Sequence, residues 1–372
     1  MIVTEYALKG DSPASNRILR GFAFGPGGSG PKVYMQAGLH ADEMPGVLVA
    51  QHLMMLLEQA EAAGQMAGEV LVVPAANPIG LAQWAFQRPL GRQEADSLHN
   101  FNRGYPDLAK LVADELVGSL RETAADNLAV IRAAFRRATA RLRDSARNDM
   151  LEMQTALLHW SCDADHVLDL HCDHVAVLHL YASTARPEDT ALLTRSIGAK
   201  LALVQDVSGG NAFDEANSAP WAALRARFGD AVPIGCFATT LEYRGQFDVD
   251  EATAKQDAHN LMTYLAGVGV VNGWVDTPAH PVPPMLPLGG AAEVFAPQGG
   301  VVTWDRAVGA MVKAGEVLGH VTDPASRLRL PITAPCPGMM FRRELWPSCL
   351  RGQSLAHVAG EIVLRGGDLL SD

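Results

Sequence analysis

Four successive stretches decide the fold: KVYMQAGL (32–39), HADEMPG (40–46), VLVAQHLMMLLEQAEAA (47–63) and EVLVVPAAN (69–77). The first and the last are apolar runs with the length of a buried strand, and the third has the pattern of a helix. Pro45 stands where the first turn of that helix tolerates a proline. A strand, a helix and a second strand connected in this way predict a β-α-β unit with parallel strands, and therefore an α/β fold.

Later segments extend this pattern. Four of them have the composition of buried strands: HVLDLHC (166–172), VAVLHLYAS (175–183), KLALVQDV (200–207) and GCFATTLEYR (235–244). Residues 250–269 predict an amphipathic helix. The stretch over about 107–160 is rich in Ala, Leu, Arg and Glu, and it predicts one or two long helices inserted between strands. We expect a mixed, mostly parallel sheet flanked by helices.

The composition changes after the last of these helices. TPAHPVPP (277–284) predicts a Pro-rich linker, and short β-like runs separated by Gly and Pro follow it. We therefore expect an α/β domain over 1–276 and a small C-terminal all-β domain over 285–372.

Charge and cysteine content exclude several functions. The chain has 372 residues and a formal net charge of −11, without a Lys/Arg-rich run, which argues against a nucleic-acid partner. The five cysteines show no C-x-x-C spacing, so we expect reduced thiols and a cytoplasmic location. The N-terminal residues lack the pattern of a signal peptide, and no apolar run is long enough to span a bilayer. We expect no membrane partner.

Two short motifs contain possible metal ligands. His40-x-x-Glu43 lies where a predicted strand ends and a helix begins, and ligands bind at such strand ends in α/β sheets. In Asp169-Leu-His171, strand alternation places the carboxylate and the imidazole on one side. Two histidines and one carboxylate form the ligand set of catalytic zinc sites. Taken singly, His40-x-x-Glu43 is also expected by chance, and His171 could be a core histidine hydrogen-bonded to Asp169.

Other polar residues could act on a substrate. Glu242 lies near the end of a predicted strand, where it could exchange protons with a metal-activated water or lie at a surface edge. Asn102-Arg103, with Arg92 eleven residues before Arg103, could grip a carboxylate or stabilise an oxyanion, although loop arginines are often only solvated.

Five motifs in chain order carry a family resemblance: HADEMPG (40–46), PAANPIG (74–80), HNFNRGYPD (99–107), LDLHCD (168–173) and TTLEYRG (239–245). Together they resemble the succinylglutamate desuccinylase/aspartoacylase family, a branch of the zinc carboxypeptidase-like hydrolases, over about residues 30–270. The C-terminal β domain is also similar to the one that this family carries.

The resemblance implies one zinc ion per chain, with His40, Glu43 and His171 as its ligands. It further implies that Glu242 is the general base and acid of a hydrolytic reaction.

The resemblance also implies which residues bind the substrate. Asn102 and Arg103 match the pair that holds a substrate carboxylate, and Arg92 has the spacing of the arginine that polarises the scissile carbonyl, with Arg88 as a competitor. Arg244 could add a second anionic contact. His174 lies beyond the strand end, and we assign it no role.

The function implied is a zinc-dependent deacylase that hydrolyses the amide bond of an N-acylated amino acid or related small molecule. A zinc carboxypeptidase acting on short peptides and a non-catalytic binding protein that retains the metal are the alternatives. The long helical insert leads us to expect a homo-oligomer.

Overall fold

A computed structural model describes residues 1–274, 280–367 and 369. The α-helices within this described part are α1 (Met44–Ala62), α2 (Leu108–Leu116), α3 (Ala124–Asp144), α4 (Asp149–Ser161), α5 (Pro187–Ile197), α6 (Phe213–Phe228) and α7 (Glu251–Gly267). The strands are β1 (Ile2–Ala7), β2 (Ile18–Phe24), β3 (Lys32–Ala37), β4 (Glu69–Val73), β5 (Trp84–Ala85), β6 (Arg88–Pro89), β7 (His166–Asp173), β8 (Val175–Ala176), β9 (His179–Ala182), β10 (Leu201–Val204), β11 (Phe237–Gly245), β12 (Met285–Pro287), β13 (Ala291–Phe295), β14 (Gly300–Trp304), β15 (Met311–Val312), β16 (Val317–Thr322), β17 (Arg329–Thr333), β18 (Gly338–Arg343), β19 (Ser348–Cys349) and β20 (Ser354–Ala359).

A large sheet organises the first part of the chain. Its strand order is β1-β2-β4-β3-β7-β11-β9-β10-β12. The central strands β4, β3, β7 and β11 are parallel, as are β9, β10 and β12, whereas β1 with β2, β2 with β4 and β11 with β9 pair antiparallel. The mixed, mostly parallel sheet expected from the sequence is confirmed.

Helices cover both faces of this sheet because its central strands are apolar on both sides. Helices α2, α3, α4 and α6 pack on one face, in a core that contains Tyr34 and Val167. Helices α1, α5 and α7 pack on the other face, against Val33, Met35 and Leu168. Consecutive residues of a strand therefore point to opposite cores, which fixes the side on which each polar residue of the strand emerges.

The predicted helical insert consists of α2, α3 and α4, and the expectation of one or two helices is therefore wrong. Side-chain caps separate the three helices. Thr123 accepts a hydrogen bond from the backbone N–H of Asp126 at the start of α3, and Asn148 accepts one from that of Leu151 at the start of α4. Thr123 and Asn148 therefore mark where α3 and α4 begin, and Gly118, with φ of +74°, follows the end of α2.

Two smaller antiparallel sheets form the C-terminal β module, residues 291–359. The order is β13-β20-β18-β15 in one, with β8 also paired to β18, and β17-β16-β14-β19 in the other. Thus β8 joins the module to the segment that follows β7, while β12 joins the large sheet. Residues 277–279 of the predicted linker lie outside the described residues, as do residues 368 and 370–372 of the predicted C-terminal domain, and the division at 276–285 stays a prediction.

The first turn of α1 packs directly on β7. A methyl group added at Gly46 would lie 2.9 Å from Leu170 Cβ and 3.0 Å from the Leu170 carbonyl oxygen. We expect Gly46→Ala to lower the free energy of unfolding by about 1–3 kcal/mol, because the helix start must shift away from the strand. Chemical denaturation measures the change. Gly366→Ala is the control, since no atom lies within 4 Å of its added methyl group; equal stability of both variants would contradict the prediction.

Candidate metal centre

Three buried polar side chains meet at the carboxyl ends of β3 and β7. His40 lies in the loop after β3, Glu43 immediately precedes α1, and His171 belongs to β7. One possible ligand atom from each of the three lies within 4.8 Å of the others. The structure therefore brings together the three residues predicted as metal ligands.

The Glu43 carboxylate links the two histidines. Its Oε1 lies 2.9 Å from His40 Nδ1 and its Oε2 lies 2.8 Å from His171 Nδ1. The backbone N–H of Cys172 donates to Oε2 at 3.0 Å. Although burial acts to raise the pKa of Glu43, the two imidazoles hold it well below its usual range. This carboxylate stays ionised.

The far nitrogens of both imidazoles have partners of their own. His40 Nε2 lies 2.9 Å from Asn100 Oδ1, and His171 Nε2 lies 2.9 Å from Asp169 Oδ2. Asp169 is in turn held by Gln36, whose Nε2 donates to Oδ1 at 3.0 Å. These contacts favour protonation at Nε2 and leave both Nδ1 atoms facing Glu43.

This donor set fits a zinc ion. Catalytic zinc sites use nitrogen and oxygen ligands of this kind, and their histidines usually donate the second ring N–H to a carboxylate or carbonyl oxygen. The Asn100 and Asp169 oxygens occupy the places of such outer partners.

Glu242 lies beside the cluster. It is the register partner of His171 across the parallel pair β7 and β11, and it lines the same cavity. Its Oε2 is buried and has no hydrogen-bond partner among the described residues. Burial, together with the charge of Glu43, raises the pKa of Glu242 to about 8. A carboxyl group in this state is suited to proton exchange.

Asn102 and Arg103 also line the cavity. Asn102 Oδ1 accepts from the backbone N–H of Phe213 at 2.8 Å, and its Nδ2 lies 3.4 Å from His171 Nε2. Arg103 Nη1 donates to the carbonyl of Asn102 at 2.7 Å. The start of α6 therefore fixes this pair next to the cluster.

The structure distinguishes the two competing arginines. Arg92 Nη1 lies 3.6 Å from Glu43 Oε1 and 3.4 Å from His40 Nδ1, and Arg92 lines the cavity. The Arg88 guanidinium instead stacks on the ring of Trp346, 4.3 Å from its centroid. Arg92 is the one placed at the cluster.

Arg244 is not placed where the sequence suggested. Strand alternation would put it on the same side as Glu242, but the pairing of β11 with β7 is irregular between Glu242 and Gly245, and Arg244 has φ of +61°. The side chain therefore points toward α7 and pairs with the buried Asp257. We correct the expectation of a substrate contact at Arg244.

Sequence reasoning missed several residues of the cavity. The cavity has a volume of about 160 Å³. Its further polar lining comes from Asp173, Tyr181, Ser208, Asp214, Thr240 and Arg342. Arg342 belongs to β18 and pairs with Asp173 at 3.1 Å, which no local motif could reveal. His174 binds Glu344 at 3.0 Å and lies outside the described lining residues.

Asp214, at the start of α6, also departs from an ordinary carboxylate. Burial raises its pKa to about 7, and the nearby charges of Glu215 and Asp169 add to the effect. No motif in the sequence points to this residue.

Comparisons with known proteins agree with this geometry. The model of the succinylglutamate desuccinylase/aspartoacylase catalytic domain matches residues 29–268. The chain belongs to this family. None of the proteins with curated functions matches the sequence significantly.

Several solved structures have the same fold as this chain. A family protein from Shewanella amazonensis SB2B is 26% identical with a TM-score of 0.82, over 96% of this chain and 98% of that one. A protein of similar description from Shewanella frigidimarina NCIMB 400 is 24% identical with a TM-score of 0.82, over 96% of each chain. The ectoine utilization protein EutE (DoeB) from Ruegeria pomeroyi is 16% identical with a TM-score of 0.64, over 95% of this chain and 94% of that one.

Membership of the succinylglutamate desuccinylase/aspartoacylase family makes the chain a hydrolase of the deacylase type. Among the described residues, no helix combines the length and the apolar character needed to cross a bilayer.

The contact between Asp169 and His171 generates a test. We expect Asp169→Asn to weaken zinc binding about 10- to 100-fold. The uncharged amide of the variant cannot hold the His171 imidazole as the Asp169 carboxylate does. Competition with a chromophoric chelator measures the affinity. Asp165→Asn is the control at the start of the same strand region, and it should leave zinc affinity unchanged. Equal zinc affinity of Asp169→Asn and the unmodified protein would contradict the assignment.

Proposed function

We propose that the protein is a zinc-dependent deacylase that hydrolyses the amide bond of an N-acylated amino acid or a related small molecule. One observation carries the proposal: the buried cluster of His40, Glu43 and His171 lies beside a buried, unpartnered Glu242 oxygen in one cavity. Family membership supports it. His40, Glu43 and His171 would hold one zinc ion per chain.

When bound, a zinc ion supplies a Lewis acid that lowers the pKa of water and polarises a carbonyl group. Glu242 would take a proton from the attacking water on Oε2, the oxygen that lacks a partner among the described residues. It would then pass this proton to the leaving nitrogen of the amide. Its raised pKa favours temporary retention of the proton.

The arginines of the cavity would orient the substrate. Arg103 and Asn102 would bind a carboxylate of the amino acid, since a guanidinium binds such groups through paired hydrogen bonds. Arg92, 3.6 Å from Glu43, would face the scissile carbonyl and stabilise the negative charge that develops on its oxygen. A cavity of about 160 Å³ suits a small substrate.

The five cysteines are free and buried, which agrees with a reducing compartment. A cytoplasmic location and a homo-oligomeric state stay predictions.

Glu242→Gln tests the proton-transfer role. We expect this variant to retain close to one zinc per chain and to lose about 100- to 10,000-fold in kcat on N-acyl amino acids, because the amide cannot accept the proton. Emission spectroscopy measures the metal content, and release of free amine measures turnover. Glu188→Gln, an exposed glutamate on α5, is the control. Full activity of Glu242→Gln would refute the role.

Substitutions of Arg92 and Arg88 form a matched pair that tests which arginine contacts the scissile carbonyl. We expect Arg92→Gln to reduce kcat about 100-fold, as the loss of an oxyanion donor does, with little change in zinc content. Arg88→Gln should keep most of the activity, because its guanidinium lies over Trp346. Steady-state kinetics on one N-acyl amino acid compares them. The assignment is wrong if Arg88→Gln loses more activity than Arg92→Gln.

A further inference from the structure

A network of buried polar side chains leads from the interior of the large sheet to the candidate metal centre. Tyr34 and Gln36 lie on β3, and Asp169 and His171 lie on β7. Strand alternation places each pair on one face, and Gln36 is the register partner of Asp169 across the parallel pairing of the two strands. The four side chains, called here the Tyr34 network, therefore share one face of the sheet.

Each side chain of the Tyr34 network contacts the next. The Tyr34 hydroxyl donates to Gln36 Oε1 at 2.8 Å, and Gln36 Nε2 donates to Asp169 Oδ1 at 3.0 Å. Asp169 Oδ2 lies 2.9 Å from His171 Nε2. Tyr34, Gln36 and Asp169 are fully buried, and His171 is 2% exposed. Because bulk solvent does not reach these groups, a hydrogen bond lost here is not readily replaced by one to water.

The Tyr34 hydroxyl satisfies the end of the Gln36 amide that faces away from the metal centre. A glutamine amide presents a donor and an acceptor of nearly the same shape, and its partners decide which of them points where. The Asp169 carboxylate accepts hydrogen bonds, so it takes the Gln36 amino group and directs Gln36 Oε1 toward Tyr34. Removal of the hydroxyl would leave this buried carbonyl oxygen without its donor and would loosen the amide that holds Asp169.

The packing of Tyr34 depends on its ring. The Tyr34 ring lies against the Phe213 ring, with 5.9 Å between the two centroids, in the core on this face of the sheet. A phenylalanine at position 34 would keep that ring contact. The hydroxyl can therefore be removed separately from the packing.

We propose that Tyr34 is a positioning residue of the metal centre. Its hydroxyl orients Gln36, Gln36 holds Asp169, and Asp169 keeps the His171 imidazole turned so that Nδ1 faces Glu43 Oε2 at 2.8 Å. Partners behind a metal-ligating histidine contribute to metal affinity by fixing its ring, and the Tyr34 network extends that support two side chains further from the metal. This inference rests on the zinc site of the proposed function.

Tyr34→Phe tests the proposal in the full chain, with competition against a chromophoric chelator as the measurement of zinc affinity. We expect a loss of affinity of about three- to tenfold, the effect of one hydrogen bond. Tyr264→Phe is the matched control. The Tyr264 hydroxyl is also fully buried and lies 2.9 Å from Nδ1 of His166, which belongs to β7 but faces the opposite core. This variant should leave the zinc affinity unchanged.

Gln36→Leu removes the middle of the Tyr34 network. We expect it to lower the zinc affinity as well, and we expect Tyr34→Phe to cause no further loss in the Gln36→Leu background, because the hydroxyl then has no route to Asp169. An unchanged affinity in Tyr34→Phe, an equal loss in Tyr264→Phe, or independent losses from Tyr34→Phe and Gln36→Leu overturns the role of Tyr34. Circular dichroism checks that each variant is folded, and if Gln36→Leu does not fold, the two tyrosine variants alone decide.

Zinc affinity does not depend on turnover, which separates this inference from the deacylase function. Zinc binding by the unmodified chain without hydrolysis of any N-acyl amino acid refutes the deacylase function, and the affinities of the tyrosine variants still decide the role of Tyr34. Absence of zinc binding by the unmodified chain refutes the metal centre and the role of Tyr34 together.

Discussion

A buried carboxylate between two imidazoles is the constraint on which the rest of the site depends. Glu43 is 4% exposed, and an ionised carboxylate at this depth is costly unless it has partners. His40, His171 and the backbone N–H of Cys172 supply them. The parallel pairing of β3 with β7 brings these partners together, because the carboxyl ends of the two strands lie side by side.

The surrounding structure holds this arrangement from several directions. Gly91 accepts a hydrogen bond from the backbone N–H of Ala41 at 2.9 Å, which brings the segment before Arg92 against the loop that carries His40. Gly104 donates to the carbonyl of Gly210 at 2.8 Å and so joins the segment of Asn102 to the loop before α6. The loops that line part of the cavity are therefore fixed by backbone hydrogen bonds and not only by their side chains.

Short-range patterns of apolar residues predicted the parts of the fold that local burial determines. The β-α-β unit and the common side of Asp169 and His171 follow from apolar periodicity, which reflects burial directly. The stretch 175–183 is interrupted instead, because the backbone N–H of Val177 donates to Phe341 of the C-terminal β module. Helices α5 and α6 were not predicted from the sequence, and α6 contains an internal proline, Pro220, a residue that usually argues against a helix. The orientation of Arg244 depends on the irregular pairing of β11 with β7. The presence of Arg342 in the cavity depends on strands that are distant in the sequence. Neither feature can be predicted from a short stretch of sequence.

The pairing of β18 with β8 has a consequence for how the protein is made. Arg342 and Arg343 pair with Ala176 and Val175, and His174 meets Glu344, 170 positions later in the chain. Contacts of such large sequence separation form slowly during folding, and a chain that leaves the ribosome supplies its later strands last. The wall of the cavity next to β7 is therefore completed only after β18 has been synthesised, so a nascent chain that ends before β18 has no finished cavity.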